Sequence, residues 1–408
     1  MIEWSEEQQL ALDAIRRFVK EEVVPNIEEL EHGDLAPYAI IKKMYQTFGI
    51  DEVRRERFER SIERQQALEQ GQEYKEIPEE DDLDMDQLLS VELCKHASGI
   101  VTAMGVTQLA AGAIMSQGSI EQKRRWGLDL LTADKVGSWA ITEPGSGSDA
   151  FGGMSSTAKL DADGNYVLNG SKTFITNGPY ADTIVFICKL IEEGVEPRKR
   201  KVMTFVLDSG MEGLEQSGRL RKMGLHCSPT GQLFLDNVVA GPERVLGGID
   251  KKSGKAKKKS DPRATFATER VGVVSMSLGV VEQCLELCLD YARERVQWEK
   301  PIGDYQLIQL KLADMEVARL NIQNMLFNYL ERKQKGKPMS FAEASAMKLY
   351  STKAAVEVAS EAIQLFGGNG YMAEYKVEQL YRDARVMRIY AGTDEMQVRA
   401  IARDLLSR

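Results

Sequence analysis

The run Phe266-Ala267-Thr268-Glu269-Arg270-Val271-Gly272 sets a carboxylate beside a guanidinium in a stretch of helical character. A carboxylate that is positioned and shielded from water gains basicity toward neutral pH and can remove a weakly acidic proton. Taken alone, a glutamate before an arginine in a helix is ordinarily a surface residue. Trp139-Ala140-Ile141-Thr142-Glu143-Pro144-Gly145-Ser146-Gly147-Ser148-Asp149 reads as a strand that ends in a glycine-rich loop. The backbone donors and hydroxyls of such a loop can approach a polar ligand closely, although surface turns share the composition. Tyr291 to Gly303, followed by Tyr305-Gln306, contains Arg295, and a guanidinium bonds phosphate oxygens bidentately while staying charged. Gln364 to Gly370 reads as a helix C-terminus and turn, and Tyr390-Ala391-Gly392-Thr393-Asp394-Glu395 completes the set.

The elements that must position these residues change texture twice along the chain. Ser5 followed by Glu6, Glu7 and Gln8 has the spacing of a capping box, and Leu12, Ile15, Phe18 and Val19 recur at helical intervals. A very polar segment from about Asp51 to Asp86 predicts a solvated helix and loop, or a lid. Helical pattern resumes from about Met85 to Thr132, with breaks expected near Gly99, Gly105 and Gly118. From Lys135 to about Val245 strands take over, with candidates at 184–190, 202–207 and 232–237. Asn169-Gly170, between two β-prone runs, predicts a hairpin turn. Beyond that, Ile308, Leu312, Met315, Ile322, Leu326 and Tyr329 repeat as the buried face of a bundle requires. The expected organisation is α+β: a helical domain (1–134), a middle β domain (135–246) and a helical bundle (247–408).

Composition sets outer limits. The 408 residues are 43% apolar and 28% charged, within the range of soluble globular proteins. No apolar run in the sequence reaches the roughly 20 residues of a membrane span. The acidic start, Met1 to Glu7, lacks the basic and apolar regions of a secretory signal, so a cytoplasmic location is expected. Five scattered cysteines and three histidines predict buried thiols and no metal site, even though Cys284 and Cys288 stand four apart. A net charge of −9 argues against nucleic acid as a partner. No Gly-x-Gly-x-x-Gly follows a strand in the manner of a Rossmann fold.

Two blocks of the β region, Trp139 to Asp149 and Lys172-Thr173-Phe174-Ile175-Thr176-Asn177-Gly178, closely resemble the flavin-binding halves of the acyl-CoA dehydrogenase middle domain. The stretch from Gln364 through Arg382-Asp383-Ala384 to Glu395 resembles the C-terminal signature of the same family, and the likeness covers nearly the whole chain in order. The resemblance implies a β-barrel-like middle domain, a C-terminal four-helix bundle and extended FAD. It places Trp139, Ile141, Thr142 and Ser148 along the flavin and thioester cleft. Phe174, where Trp is common, would cover a flavin face, and Thr176 would lie near N5. Arg295 and Gln306 would reach FAD of a neighbouring subunit. Gln364, Gly367 and Gly368 would hold the adenine side, and Thr393 and Glu395 would make the remaining flavin contacts.

Most members read Glu-Gly-Thr where this chain has Ala391-Gly392-Thr393. Glu269 matches the site where the isovaleryl-CoA and long-chain branches place their base, paired there with Ala or Gly in the Tyr-x-Gly-Thr run. The resemblance therefore makes Glu269 the base, while the Ala391 N–H bonds the thioester oxygen beside a flavin ribityl hydroxyl. Phe266, Arg270, Ser148 and Gly392 are assigned to substrate binding; Ala267 stands where an Asp often bonds pantetheine. The implied activity is dehydrogenation of an acyl-CoA to trans-2-enoyl-CoA, in fatty-acid or branched-chain acyl metabolism. Electrons would leave through an electron-transfer flavoprotein, and the assembly would be a homotetramer. A monooxygenase of the same fold, needing no base, and a non-catalytic partner subunit are the alternatives. The lysine-rich run 251–260 reads as a solvated loop, or as a cationic patch for the CoA 3′-phosphate or an acidic electron-transfer partner.

Overall fold

A computed structural model describes residues 3–74, 84–250, 255–256, 262–337 and 339–407, with the backbone alone at 249–250, 255–256 and 262–268. Part of the polar segment, at 75–83, and most of the lysine-rich run therefore lie outside the described residues, as does the Phe266 side chain. The order is helical, β, helical. Eight α-helices come first: α1 (Glu6–Phe18), α2 (Ile27–His32), α3 (Tyr38–Thr47), α4 (Ile50–Glu69), α5 (Met85–Cys94), α6 (Ser98–Gln117), α7 (Ile120–Gln122) and α8 (Leu128–Leu131).

The capping box at Ser5 is present. Ser5 Oγ accepts from the Gln8 N–H at 3.1 Å and Gln8 Oε1 accepts from the Ser5 N–H at 3.0 Å, satisfying two donors that the helix start would leave orphaned. Helix α1 then buries Leu12, Ile15 and Phe18. No break occurs at Gly105, because α6 runs through it; Gly118 ends that helix. A glycine inside a helix is tolerated where packing on the other faces holds the helix.

The sheet uses seven strands: β1 (Gly137–Ala140), β2 (Thr157–Leu160), β3 (Tyr166–Thr176), β4 (Thr183–Leu190), β5 (Val202–Asp208), β6 (Leu214–Gln216) and β7 (Thr230–Ala240), with the short α9 (Ala150–Gly153) after β1. Their order is β1-β4-β2-β3-β7-β6, and β5 pairs with β4. The hairpin expected at Asn169-Gly170 does not form: β3 continues through it and is irregular against β7 there. Gly170 has φ +145°, and a Cβ would stand 2.3 Å from Ser156 Oγ. Close backbone approach, not a turn, is why glycine is needed.

Five helices complete the fold: α10 (Pro262–Glu294), α11 (Gln306–Gln334), α12 (Phe341–Phe366), α13 (Val377–Met387) and α14 (Asp394–Leu405). Helix α10 packs on α5, α11 and α12, so one apolar core joins the N-terminal helices to the bundle. Helices Ser98–Gln117 and Glu269–Glu294 are long and apolar enough to cross a membrane, a feature not read from the sequence. Both are mostly buried, and a core helix surrounded by protein acquires the same composition.

Asn177 ties the β domain to the helices ahead of it. It is buried with φ +64°, and its amide nitrogen lies 2.9 Å from the carbonyls of Ala103 and Gly137 and 3.2 Å from Thr107 Oγ1. Tyr38 donates to its Oδ1 at 3.0 Å. Substituting Gly170→Ala, which forces the Cβ onto Ser156, is expected to destabilise the protein by about 1–3 kcal/mol. Urea unfolding monitored by circular dichroism measures this directly.

Candidate functional site

Glu269 is half-buried on α10, and burial pushes its carboxyl up to about 7, against the opposing charges of Lys348 and Arg270. Arg270 is buried next to it. Its Nη1 donates to Ser345 Oγ on α12 at 2.5 Å, and its guanidinium carbon lies 3.9 Å from the centre of the Phe341 ring. Burial lowers the Arg270 pKa to about 10, and its Nε meets no partner among the described residues.

The turn between α13 and α14 closes on this pair. A Cβ at Gly392 would stand 3.4 Å from Arg270 Nη2, so the guanidinium packs against the glycine. Ala391 has φ +50° and Gly392 φ +86°. That bend is held by side chains: Lys348 Nζ donates to the Gly392 carbonyl at 2.5 Å, and Gln397 Nε2 donates to the carbonyls of Ala391 and Gly392 at 3.0 and 2.7 Å. The Ala391 N–H bonds none of the described residues and remains available as a donor. Tyr390 reaches back to Met276 Sδ on α10 at 3.3 Å and lies beside Thr102 of α6. Glu269, Arg270, Ala391 and Gly392, far apart in sequence, thus form one group.

A second group lies where β1 and β3 meet. Trp139 is on β1, with Ile141 and Thr142 just past its end; the Thr173 N–H donates to the Thr142 carbonyl at 2.9 Å. Lys172 Nζ donates to the Ile141 carbonyl at 3.1 Å and to Glu143 Oε1 at 2.8 Å, an ion pair with both side chains buried. Burial opposes ionisation of Glu143, but Lys172 and donors from Ser155 and Ser156 outweigh it and pull the carboxyl down to about 2. Burial also lowers Lys172, so the pair's charges depend on each other. On β3, Phe174 has φ +58° and is 69% exposed, while Thr176 is half-buried. Ser148 is exposed in the loop beyond, and neither Gly145 nor Gly147 has a neighbour within 4 Å of a built Cβ.

The third group surrounds the stacked rings of Tyr291 and Phe366, whose centroids are 4.0 Å apart. Arg295 follows Tyr291 at the end of α10; Gln364 precedes Phe366, and Gly367 and Gly368 follow it. Arg295, Gly367 and Gly368 are exposed, as is Gln306 at the start of α11. No described contact joins this group to Glu269 within the chain. Thr393 is half-buried at the start of α14 and Glu395 is exposed in its first turn.

Sequence reasoning missed several members. Lys348 and Gln397 are fully buried, and Trp298, 87% exposed, caps a hairpin beside Arg295 with φ +53°. The Lys348 signal was visible: a lone lysine among Ala344, Ser345, Ser351, Thr352 and Ala355 on the inner face of a helix. The residues present fit a flavin: an exposed aromatic ring held in a strained conformation, adjacent hydroxyls, and a glycine loop open to approach. Among the described residues no cluster could hold a metal ion, and all five cysteines are free and buried.

Residues 138–238 match the family model of the acyl-CoA dehydrogenase middle domain, and 262–406 that of the acyl-CoA dehydrogenase C-terminal domain. The chain is 32% identical to a 3-(aryl)acrylate reductase of Clostridium sporogenes, covering 99% of both chains. It is 35% identical to the CarC subunit of a caffeyl-CoA reductase–Etf complex from Acetobacterium woodii, over 79% of this chain and 83% of that one. The crystal structure of an acyl-CoA dehydrogenase from Geobacillus kaustophilus superposes with a TM-score of 0.85 at 30% identity, covering 98% of each.

A carboxyl whose pKa is raised on folding makes the native state bind more protons than the unfolded chain. Its stabilising contribution is full below the unfolded value, near 4.3, and is lost as pH rises toward 7. Wild type is therefore expected to lose stability relative to Glu269→Gln between pH 4 and 7.5, on the order of 3 kcal/mol. Asp383, pushed up to about 7 by burial and by Glu31, adds the same trend to both proteins and cancels in the difference. Denaturant unfolding at a series of pH values checks it.

Proposed function

Because this chain belongs to the acyl-CoA dehydrogenase family, whose members depend on FAD, we propose that it oxidises a saturated acyl-CoA to trans-2-enoyl-CoA with Glu269 as the base. The observation that carries this reading is the packing of Arg270, the neighbour of Glu269 on α10, against Gly392 of the Ala391-Gly392 turn. A carboxylate with a pKa near 7 is ionised enough at neutral pH to accept an α-proton and basic enough to hold it. The Ala391 N–H donates to the thioester oxygen, stabilising the charge that builds there as the proton leaves. Arg270 fixes the glutamate's surroundings through Ser345 and Phe341. Bound FAD would supply the two-electron acceptor for the β-hydrogen; Trp139, Ile141, Thr142, Ser148, Phe174, Thr176, Thr393 and Glu395 would hold it.

Arg295, Gln306, Gln364, Gly367 and Gly368 would complete the cofactor site of a second copy in a homotetramer. The exposed apolar residues Trp298, Leu307, Leu310, Val317 and Leu320 support such an assembly, since a free surface rarely keeps so many together. An electron-transfer flavoprotein is the proposed redox partner; a relative named as part of an Etf complex supports it.

A second reading runs the same site in reverse, with protonated Glu269 delivering a proton to the α-carbon of an enoyl-CoA. The pKa near 7 favours neither direction, and two relatives are named as reductases. Anaerobic bleaching of the yellow protein by a panel of acyl-CoAs, in wild type and Glu269→Gln, tests the base. Bleaching lost only in the variant supports it, and equal bleaching sinks it. Reoxidation of the reduced protein by enoyl-CoAs separates the two directions.

The acyl group is proposed to be substituted near the β-carbon. Gly272 lies three residues beyond Glu269 on α10, and Gly105 lies three beyond Thr102 on α6. Neither has anything within 4 Å of a built Cβ. Gly272→Val is expected to lower kcat/KM for branched or aryl acyl-CoAs about tenfold more than for butyryl-CoA, a difference of about 1.4 kcal/mol. Competition assays with paired substrates provide the ratio.

A further inference from the structure

Lys348 is fully buried on the inner face of α12, two residues past Ala346 and one turn beyond Ser345. Burying an ammonium costs several kcal/mol, so the position would be filled more cheaply by a neutral side chain unless the charge itself matters. Its hydrogen bond to the Gly392 carbonyl does not explain the charge, because Gln397 Nε2 already donates to that oxygen at 2.7 Å. The charged groups acting on it are Asp394 at the start of α14, which acts most strongly, and then Arg270 and Glu269 on α10. Asp394 is bonded by Arg388 at 2.6 Å, and Arg270 is engaged by Ser345 and Phe341. Of the two cations favouring ionised Glu269, Lys348 acts more strongly than Arg270.

Resting on Glu269 as the base, we propose that Lys348 is the positioning residue of proton transfer. Its ammonium holds the Ala391-Gly392 turn by the Gly392 carbonyl and supplies the positive potential that lets Glu269 ionise inside the bundle. Burial lowers Lys348 to about 8, which still leaves it charged at neutral pH. One side chain thus couples the two halves of the chemistry, the base on α10 and the backbone donor on the turn. A proton arriving at Glu269 removes one of the two negative charges that Lys348 faces, the other being that of Asp394.

The test compares Lys348→Gln, which keeps a donor and loses the charge, with Lys348→Arg, which keeps the charge. Anaerobic bleaching rates are measured across pH on flavin-loaded protein. In Lys348→Gln the acid limb is expected to move up by about one pH unit, with the rate at pH 7 about fivefold lower and recovering at high pH. Lys348→Arg is expected to leave the limb near its wild-type position. An unmoved limb, or equal loss in both variants at every pH, overturns the proposal. A second measurement needs no turnover: the loss of unfolding free energy caused by Lys348→Gln at pH 8 is compared in wild-type and Glu269→Gln backgrounds. A smaller loss in the Glu269→Gln background is expected, and equal losses overturn the coupling. Should Glu269→Gln bleach as fast as wild type, the base reading fails while this stability cycle still decides whether the two residues interact. If Lys348→Gln does not fold alone but does fold with Glu269→Gln, the charges are coupled; if neither folds, the role is structural and the proposal falls.

Discussion

A carboxylate can work as a base near neutral pH only if protein takes most of its water away without abolishing its charge. The surroundings of Glu269 meet both conditions. Helices α5, α11 and α12 pack around α10 and supply the desolvation, which raises the acid's pKa. Lys348 and Arg270 limit that rise, so the group titrates near 7 and not far above it. Both cations are themselves disfavoured by burial, and each has a partner: Arg270 donates to Ser345 Oγ and Lys348 to the Gly392 carbonyl. The polar residues Arg270, Ser345 and Lys348 gather around one acid partly withdrawn from water.

The β domain meets a different demand, holding irregular backbone in place at a cleft. The Ile141 carbonyl and the residues just past β1 are fixed by Lys172, whose charge is balanced by Glu143, which in turn accepts from Ser155 and Ser156. Removing either member of that pair would strand a buried charge, so the loop's shape is tied to both residues. Asn177 performs the corresponding service between domains, satisfying carbonyls of α6 and β1 with one amide. Strained conformations persist where such contacts over-determine the backbone: at Phe174, next to the Thr173 N–H bond to the Thr142 carbonyl, and at Ala391, held by Lys348 and Gln397.

The helix start at Ser5, the apolar faces of α1 and α11 and the strands at 183–190, 202–208 and 230–240 were legible, because each depends on local periodicity or on a cap a few residues long. Asn169-Gly170 misled because the same dipeptide serves a turn and a close approach, and only Ser156, brought in by β2 pairing, distinguishes them. Gly105 misled in the same way, since its helix is held by faces that the glycine does not touch. Glu143 and Lys172 stand in the two β-region motifs without any local sign that they pair. An ion pair between residues 29 apart has no local pattern.

The sequence by itself determined the kind of protein this is: the order of helical and β regions, and the motifs that align it with a flavin-dependent family. It also carried Ala391 where the resemblance leads one to look for a carboxylate, and with it the expectation that Glu269 is the base. What it could not decide is how those two positions meet. Residues 269 and 391 lie on separate elements, and their relation depends on α12 packing between them and on the bend that Lys348 and Gln397 hold at Gly392. Desolvation and charge coupling are sums over neighbours in space, so the basicity of Glu269 exists only in the folded chain.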